Sequence, residues 1–242
     1  MKVFQRRSRS AVDEPMTIIE HLEALRRVLI VALIAWTGTT IVAWFFSAQV
    51  YDLLLQRAHV PKAFIFTPTG FFFLRLKVAL YLGIAIASPV IVQQIWSFVS
   101  PGLYLHERRL FAPLVVATLF FFAVGITFAL FALPYVMRVL TGFAPPDVQF
   151  FPDASALLSF ILALILGFGL VFELPVVLYV LGRLGIVNSR WLWKNRPYWI
   201  IALGLLANIL TPGGDVFTPF FLFVPLYLFY EGTTLLLRLS GK

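Results

Sequence analysis

Long apolar runs separated by short polar punctuation dominate the chain. Charge-free or nearly charge-free runs occupy residues 28–49, 78–99, 110–137, 154–181, 197–210 and 216–237. About 20 apolar residues cross a bilayer as a helix, so the first four runs qualify easily, and the sixth does if Glu231 is accommodated. The fifth run has 14 residues. At ~1.5 Å per residue it spans only about 21 Å, so it is expected to thin the bilayer locally or to start inside the headgroup region. Ahead of the first run, Ile18, Leu22, Leu25 and Leu29 follow one another at spacings of four, three and four. That periodicity predicts an amphipathic helix over 18–29, lying at the membrane surface before the first span. The pattern as a whole predicts an all-α integral membrane protein: one domain, 1–242, with six transmembrane helices behind an amino-terminal segment, 1–27.

Composition agrees with this class. Of the 242 residues 61% are hydrophobic and 12% charged, with a mean hydropathy of +0.93, whereas a soluble domain carries about 25% charged residues. The net charge of +8 does not point to nucleic acid, because the basic residues are spread over loops without an RNA-binding motif. There is no cysteine, hence no disulfide framework and no thiolate chemistry. His21, His59 and His106 are scattered without metal-ligand spacing. No Walker A loop, nucleophile triad or intramembrane protease motif is present, so no cofactor, metal or enzymatic activity is expected.

Six spans put both termini on one side of the membrane. With that side inside, the inner segments hold six Lys and Arg in 1–27, then Arg108 and Arg109, then Arg183, Arg190, Lys194 and Arg196, then Arg238 and Lys242. That is fourteen, against five outside: Arg57, Lys62, Arg75, Lys77 and Arg138. The positive-inside rule therefore predicts both termini in the cytoplasm. Phe4-Gln5-Arg6-Arg7 looks superficially like an export signal, but a signal places its apolar region close behind the arginines. Here a mixed segment with Asp13, Glu14, Glu20 and Glu23 intervenes, and 1–27 is read as a retained terminus.

Acids in apolar surroundings are the candidate chemistry. Glu173 lies ten positions before Arg183, so roughly 15 Å from the cytoplasmic end. An acid at that depth costs about 2.5–3.5 kcal/mol on insertion scales and should face protein or water. It is either a protonated side chain bonded between helices or a polar spot on a functional face. Glu231 is seven positions before Arg238 and within snorkelling reach of the interface. Asp215 closes the turn Leu210-Thr211-Pro212-Gly213-Gly214-Asp215, where capping of the sixth span is the simplest role. Gly83 and Pro89 share their spacing with Gly169 and Pro175, read as coincidence, and no inverted repeat is evident. The outer segments Tyr51–Lys77 and Gly142–Asp153 are read as caps over the bundle.

The most punctuated loop is Trp96 to Arg109, WSFVSPGLYLHERR. Pro101-Gly102 forces a turn, and Glu107 follows among cations. Arg108 and Arg109 read first as positive-inside topology anchors, but a topology signal needs no acid. This loop, W-x-F-x-x-P-G-L-Y-x-x-E-R-R, closely resembles the TatC family, the polytopic subunit of the twin-arginine protein translocase. Three further motifs follow the family in order: His21-Leu22-Glu23-Ala24-Leu25-Arg26, Phe172-Glu173-Leu174-Pro175, and the Thr211–Asp215 turn followed by Pro225-Leu226-Tyr227 and Glu231. Departures are local. The family's acid in the first motif falls on Ala24, with Glu23 about 100° round the helix. Gly70 stands where an acid is usual, Arg57 where proline is frequent, and Pro219 where a polar residue is common.

The resemblance implies a receptor in a bacterial or archaeal plasma membrane with a concave helical bundle. Such a protein binds twin-arginine signal peptides of folded cargo and assembles with small single-span subunits (TatA/TatB type) into a larger, self-associated complex. Transport is driven by the protonmotive force. By the resemblance, Glu107, Arg108, Phe98, His21, Glu23 and Arg26 are the signal-peptide residues, and Glu173, Asp215 and Glu231 the intramembrane polar and partner-contact residues. The rival class is a proton-coupled small-solute transporter or channel with Glu173 as proton carrier.

Overall fold

The structure is a computed structural model and describes residues 18–60, 62–99, 111–143, 150–210 and 217–241. Eight helices follow in order: α1 Ile18–Arg57, α2 Gly70–Val99, α3 Phe111–Thr141, α4 Ala154–Val171, α5 Leu174–Arg183, α6 Ser189–Lys194, α7 Arg196–Leu210 and α8 Phe217–Leu239. Among the described residues five helical segments are long and apolar enough to cross a membrane, α4 and α5 together forming one of them, and α7 is a shorter apolar helix. The protein is an all-α, multi-pass membrane protein.

α1 is longer than the sequence pattern suggested. The amphipathic stretch and the first apolar run form one uninterrupted helix of 40 residues. No proline or glycine stands between Ile18 and Gly38 to break it. Its end at Arg57 is closed by His59 at φ 55, with the Val60 N–H reaching back to the Leu55 carbonyl at 3.2 Å, a Schellman-type stop.

α1 and α2 pack as an antiparallel hairpin whose closest approach is at Gly83. A Cβ there would strike the Thr40 side chain and lie 3.0 Å from its backbone. Polar side chains stitch the pair. Trp36 Nε1 donates to the Leu80 carbonyl at 2.9 Å, and Thr39 Oγ1 donates to the Gly83 carbonyl at 2.8 Å. Near the other end, Arg75 donates from Nε to Ser47 Oγ at 2.9 Å while its guanidinium lies over the Trp44 ring. Pro89 sits inside α2 without ending it. Its missing N–H leaves the Ala85 carbonyl free, and Ser88 Oγ donates to that carbonyl at 2.8 Å.

α4 forms the centre. Leu158, Ile161, Leu164 and Phe168 are fully enclosed, with Leu133 of α3, Leu74 of α2, Leu203 of α7 and Leu226 and Tyr230 of α8 around them. α3 comes close enough that a Cβ on Gly125 would lie 2.6 Å from the Phe168 carbonyl. Pro175 behaves unlike Pro89: it occupies the first turn of α5 and splits the fourth apolar run at Phe172-Glu173. The shared spacing with Gly83 and Pro89 therefore corresponds to two different local structures.

The two connecting segments opposite the chain termini are tied to each other. Phe64 and Asp153 form a parallel bridge, with the Phe64 N–H on the Pro152 carbonyl at 3.0 Å and the Ala154 N–H on the Phe64 carbonyl at 2.8 Å. Asp153 also caps α4 by accepting from the Ala156 N–H at 2.7 Å. Beneath this bridge Lys77 of α2 donates to Ser159 Oγ of α4 at 2.6 Å. At the other end, His21 meets Phe98, Trp96 packs with Val180 and Leu184, and Gly182 abuts Leu237. The start of α1 and the end of α8 thus share one end of the bundle.

Candidate functional site

The antiparallel hairpin carries the start of α1 to the end of α2. There the His21 ring stacks on the Phe98 ring with centroids 4.4 Å apart and planes at 27°. Two segments far apart in the chain, each bearing candidate residues, therefore meet. Glu23 and Arg26 are exposed on the same stretch of α1. Three residues apart, they are neighbours on one helix face, while Glu23 stands about 200° round from His21. The structure brings His21 to Phe98 and places Glu23 and Arg26 on a different face of α1. Glu107, Arg108 and Asp215 lie outside the described residues.

Two residues before Phe98, about 200° round α2, the side chain points inward. Trp96 is buried, and its Nε1 donates to Thr118 Oγ1 of α3 at 3.0 Å. The Thr118 hydroxyl also engages the Glu173 carboxyl. Val92, Leu114, Val176 and Val180 surround this polar line. Glu173 stands at the α4–α5 break, in the capping position of α5 but without a side-chain capping bond. Its Oε1 is buried and has no hydrogen-bond partner among the described residues. An unsatisfied carboxyl oxygen in such a place costs on the order of 1–3 kcal/mol, a penalty that a ligand donor would remove. Arg183, at the other end of α5, turns towards the Tyr179 ring, 6.0 Å from its centroid.

Glu231 has a partner that snorkelling to the interface did not anticipate. Arg196 Nη2, at the start of α7, lies 2.6 Å from Glu231 Oε1. The same guanidinium donates from Nε to Tyr227 Oη at 2.9 Å, and from Nη2 to the same oxygen, and lies over the Trp193 ring. Tyr230, one residue before Glu231, donates its hydroxyl to the Leu192 carbonyl at 2.7 Å. This cluster locks α6 and α7 onto α8. Its acid is neutralised by a cation, unlike Glu173.

A family model described as Sec-independent protein translocase protein (TatC) matches residues 20–225. The chain belongs to the TatC family. A Sec-independent protein translocase protein TatC of Carboxydothermus hydrogenoformans is 40% identical over 222 residues, covering 90% of this chain and 91% of the relative. The TatC of Escherichia coli K12 is 34% identical over 227 residues, covering 91% and 88%. A crystal structure of a twin arginine translocase receptor, TatC, superposes with a TM-score of 0.79 at 34% identity, over 92% of this chain and all of that one. A second, in DDM, gives 0.80 over 90% and 99%.

Membership of TatC makes the chain a component of the twin-arginine protein translocase rather than an enzyme. It also favours a protein translocase over the small-solute transporter reading. Within TatC terms, sequence reasoning missed two residues of the geometry. Thr118 is one of two threonines in its apolar run, with Thr127, and nothing in its neighbourhood marks it. Arg196 was counted as a topology cation, and its pairing with Glu231 spans two helices.

Proposed function

We propose that the chain is the signal-receptor subunit of a twin-arginine translocase in a bacterial or archaeal plasma membrane, with six spans and both termini in the cytoplasm. The carboxylate of Glu107 meets the paired guanidiniums of the signal peptide, flanked by Arg108 and by the His21–Phe98 surface, with Glu23 and Arg26 offering polar contacts from another face of α1. Arginine is preferred over lysine because its planar fork binds a carboxylate through two parallel hydrogen bonds. The apolar part of the signal lies along the bundle towards Glu173, whose unpartnered oxygen accepts a donor there. Asp215 and Glu231 contribute contacts to small single-span partner subunits, several copies of the complex associate, and the protonmotive force drives transport of folded cargo.

The observation that carries this reading is the His21–Phe98 stack, which joins the two segments bearing the candidate residues at one end of the bundle. It is supported by the name of the solved relatives, twin arginine translocase receptor. The test is binding of a twin-arginine signal peptide to the detergent-purified chain, beside a twin-lysine peptide and a Glu107→Gln variant. One charge-assisted hydrogen bond contributes about 1.5–3 kcal/mol, so both comparisons should weaken binding by about ten- to a hundredfold. Equal affinity in all three would overturn the receptor assignment.

A further inference from the structure

A cavity of about 1010 Å³ opens between α6 and the last turns of α8, with Asn188, Arg190, Trp193, Lys194, Glu231 and Arg238 in its wall. Three of these side chains are cations and one is an acid. The acid is already committed, since Glu231 is paired at 2.6 Å with Arg196, which is not part of the cavity wall. Arg190, Lys194 and Arg238 have no acidic partner among the described residues. The cavity therefore presents a net positive field with three unspent donors.

Its surroundings are those of a membrane boundary. Trp191, Trp193 and Tyr198 are exposed at 47%, 58% and 73%, the amphipathic aromatic side chains that gather at headgroup level. On the α8 side, Leu235, Leu236 and Leu239 are exposed as well, giving apolar surface directly beside the cations. A free anion would satisfy the cations but leave the leucines without an occupant. A phospholipid supplies both parts, its phosphodiester to the cations and its acyl chains to the leucines and the Trp193 ring. A zwitterionic headgroup brings an ammonium that three unpaired cations repel, so the site selects a headgroup with net negative charge.

We propose that the α6–α8 cavity binds the headgroup of an anionic phospholipid, held by Arg190, Lys194 and Arg238. The occupant bridges α6 and α8 at the end of the bundle that also carries the His21–Phe98 stack, and it fixes that corner to the membrane surface.

The test uses the full chain, delipidated in detergent, titrated separately with phosphatidylglycerol, phosphatidylcholine and inorganic phosphate. Bound lipid is counted by native mass spectrometry, and stability is read as the unfolding midpoint. Phosphatidylglycerol should be retained about tenfold more than phosphatidylcholine and should raise the midpoint, with inorganic phosphate giving no comparable shift. The combined variant Arg190→Gln, Lys194→Gln, Arg238→Gln should lose that preference, whereas Arg57→Gln with Lys62→Gln at the opposite end should keep it. Equal retention of the two lipids by the wild-type chain would overturn the proposal. So would a shift by inorganic phosphate equal to that by phosphatidylglycerol, which marks a free-anion site, or unchanged retention in the triple variant. If the triple variant does not fold, the three wild-type titrations decide alone. Stronger quenching of tryptophan by brominated phosphatidylglycerol than by brominated phosphatidylcholine is then required.

Discussion

α1 and the α4–α5 segment are both apolar and both long enough to span a bilayer, yet they are held in opposite ways. In the most apolar window of α1 only 6% of residues are buried, against 56% in α4–α5. α4 is surrounded by helices and fixed by close packing of Leu158, Ile161 and Phe168. α1 touches chiefly α2, presents Ile34, Ile41 and Phe45 outward, and is fixed by directional bonds from Trp36 and Thr39 to backbone carbonyls of α2. Where lipid replaces water, apolar side chains gain little by moving from lipid to protein, so packing and hydrogen bonds must set helix pairing. A peripheral helix with one neighbour relies on the second of these. A central helix with many neighbours relies on the first.

The largest effect should separate two identical truncations. Phe168 is fully enclosed and Phe45 is 70% exposed. Phe168→Ala should cost about 3–5 kcal/mol and Phe45→Ala within about 0.5 kcal/mol, measured as unfolding of the purified chain in detergent. Comparable losses would mean that α1 is as tightly enclosed as α4. An intermediate effect is expected at the hairpin seam. Gly83→Val drives a side chain into Thr40, and overpacking of this kind costs about 1–3 kcal/mol. It should separate α1 from α2, read as a longer spin-label distance between positions 36 and 80. The smallest effect is a difference in sign between neighbours. Thr39→Val removes an interhelical bond, a loss of about 0.6 kcal/mol. Thr40 Oγ1 is buried without a partner, so Thr40→Val should be neutral or stabilising. If both changes destabilise equally, directional bonding is not what holds this edge.

Much of this architecture was legible in the order of residues. Each of the six apolar runs falls on helix, the fourth divided between α4 and α5 by a break at Phe172-Glu173 ahead of Pro175. What was not legible depended on distance in three dimensions. The continuity of α1 was hidden because composition changes near Val28 although no residue there stops a helix. α6 has six residues, too few for a periodic pattern, and its Asn188 cap at 2.7 Å from the Trp191 N–H reads as loop chemistry in sequence. The candidate residues His21 and Phe98 were each visible as motif positions, but their contact required the hairpin. The line from Trp96 through Thr118 to Glu173 joins three helices, and no local spacing encodes it.

The length of α1 has a mechanical corollary. Forty residues make a rod of about 60 Å, twice the ~30 Å hydrocarbon core. Even at a tilt of about 40°, the steep end of what spanning helices adopt, it rises about 46 Å. At that tilt about fourteen residues must project past the hydrocarbon, and about twenty when the rod stands upright. The rod is tied to α2 at Phe98, at the Leu80 and Gly83 carbonyls and at Arg75, so a push at His21 is carried along the hairpin by both helices together.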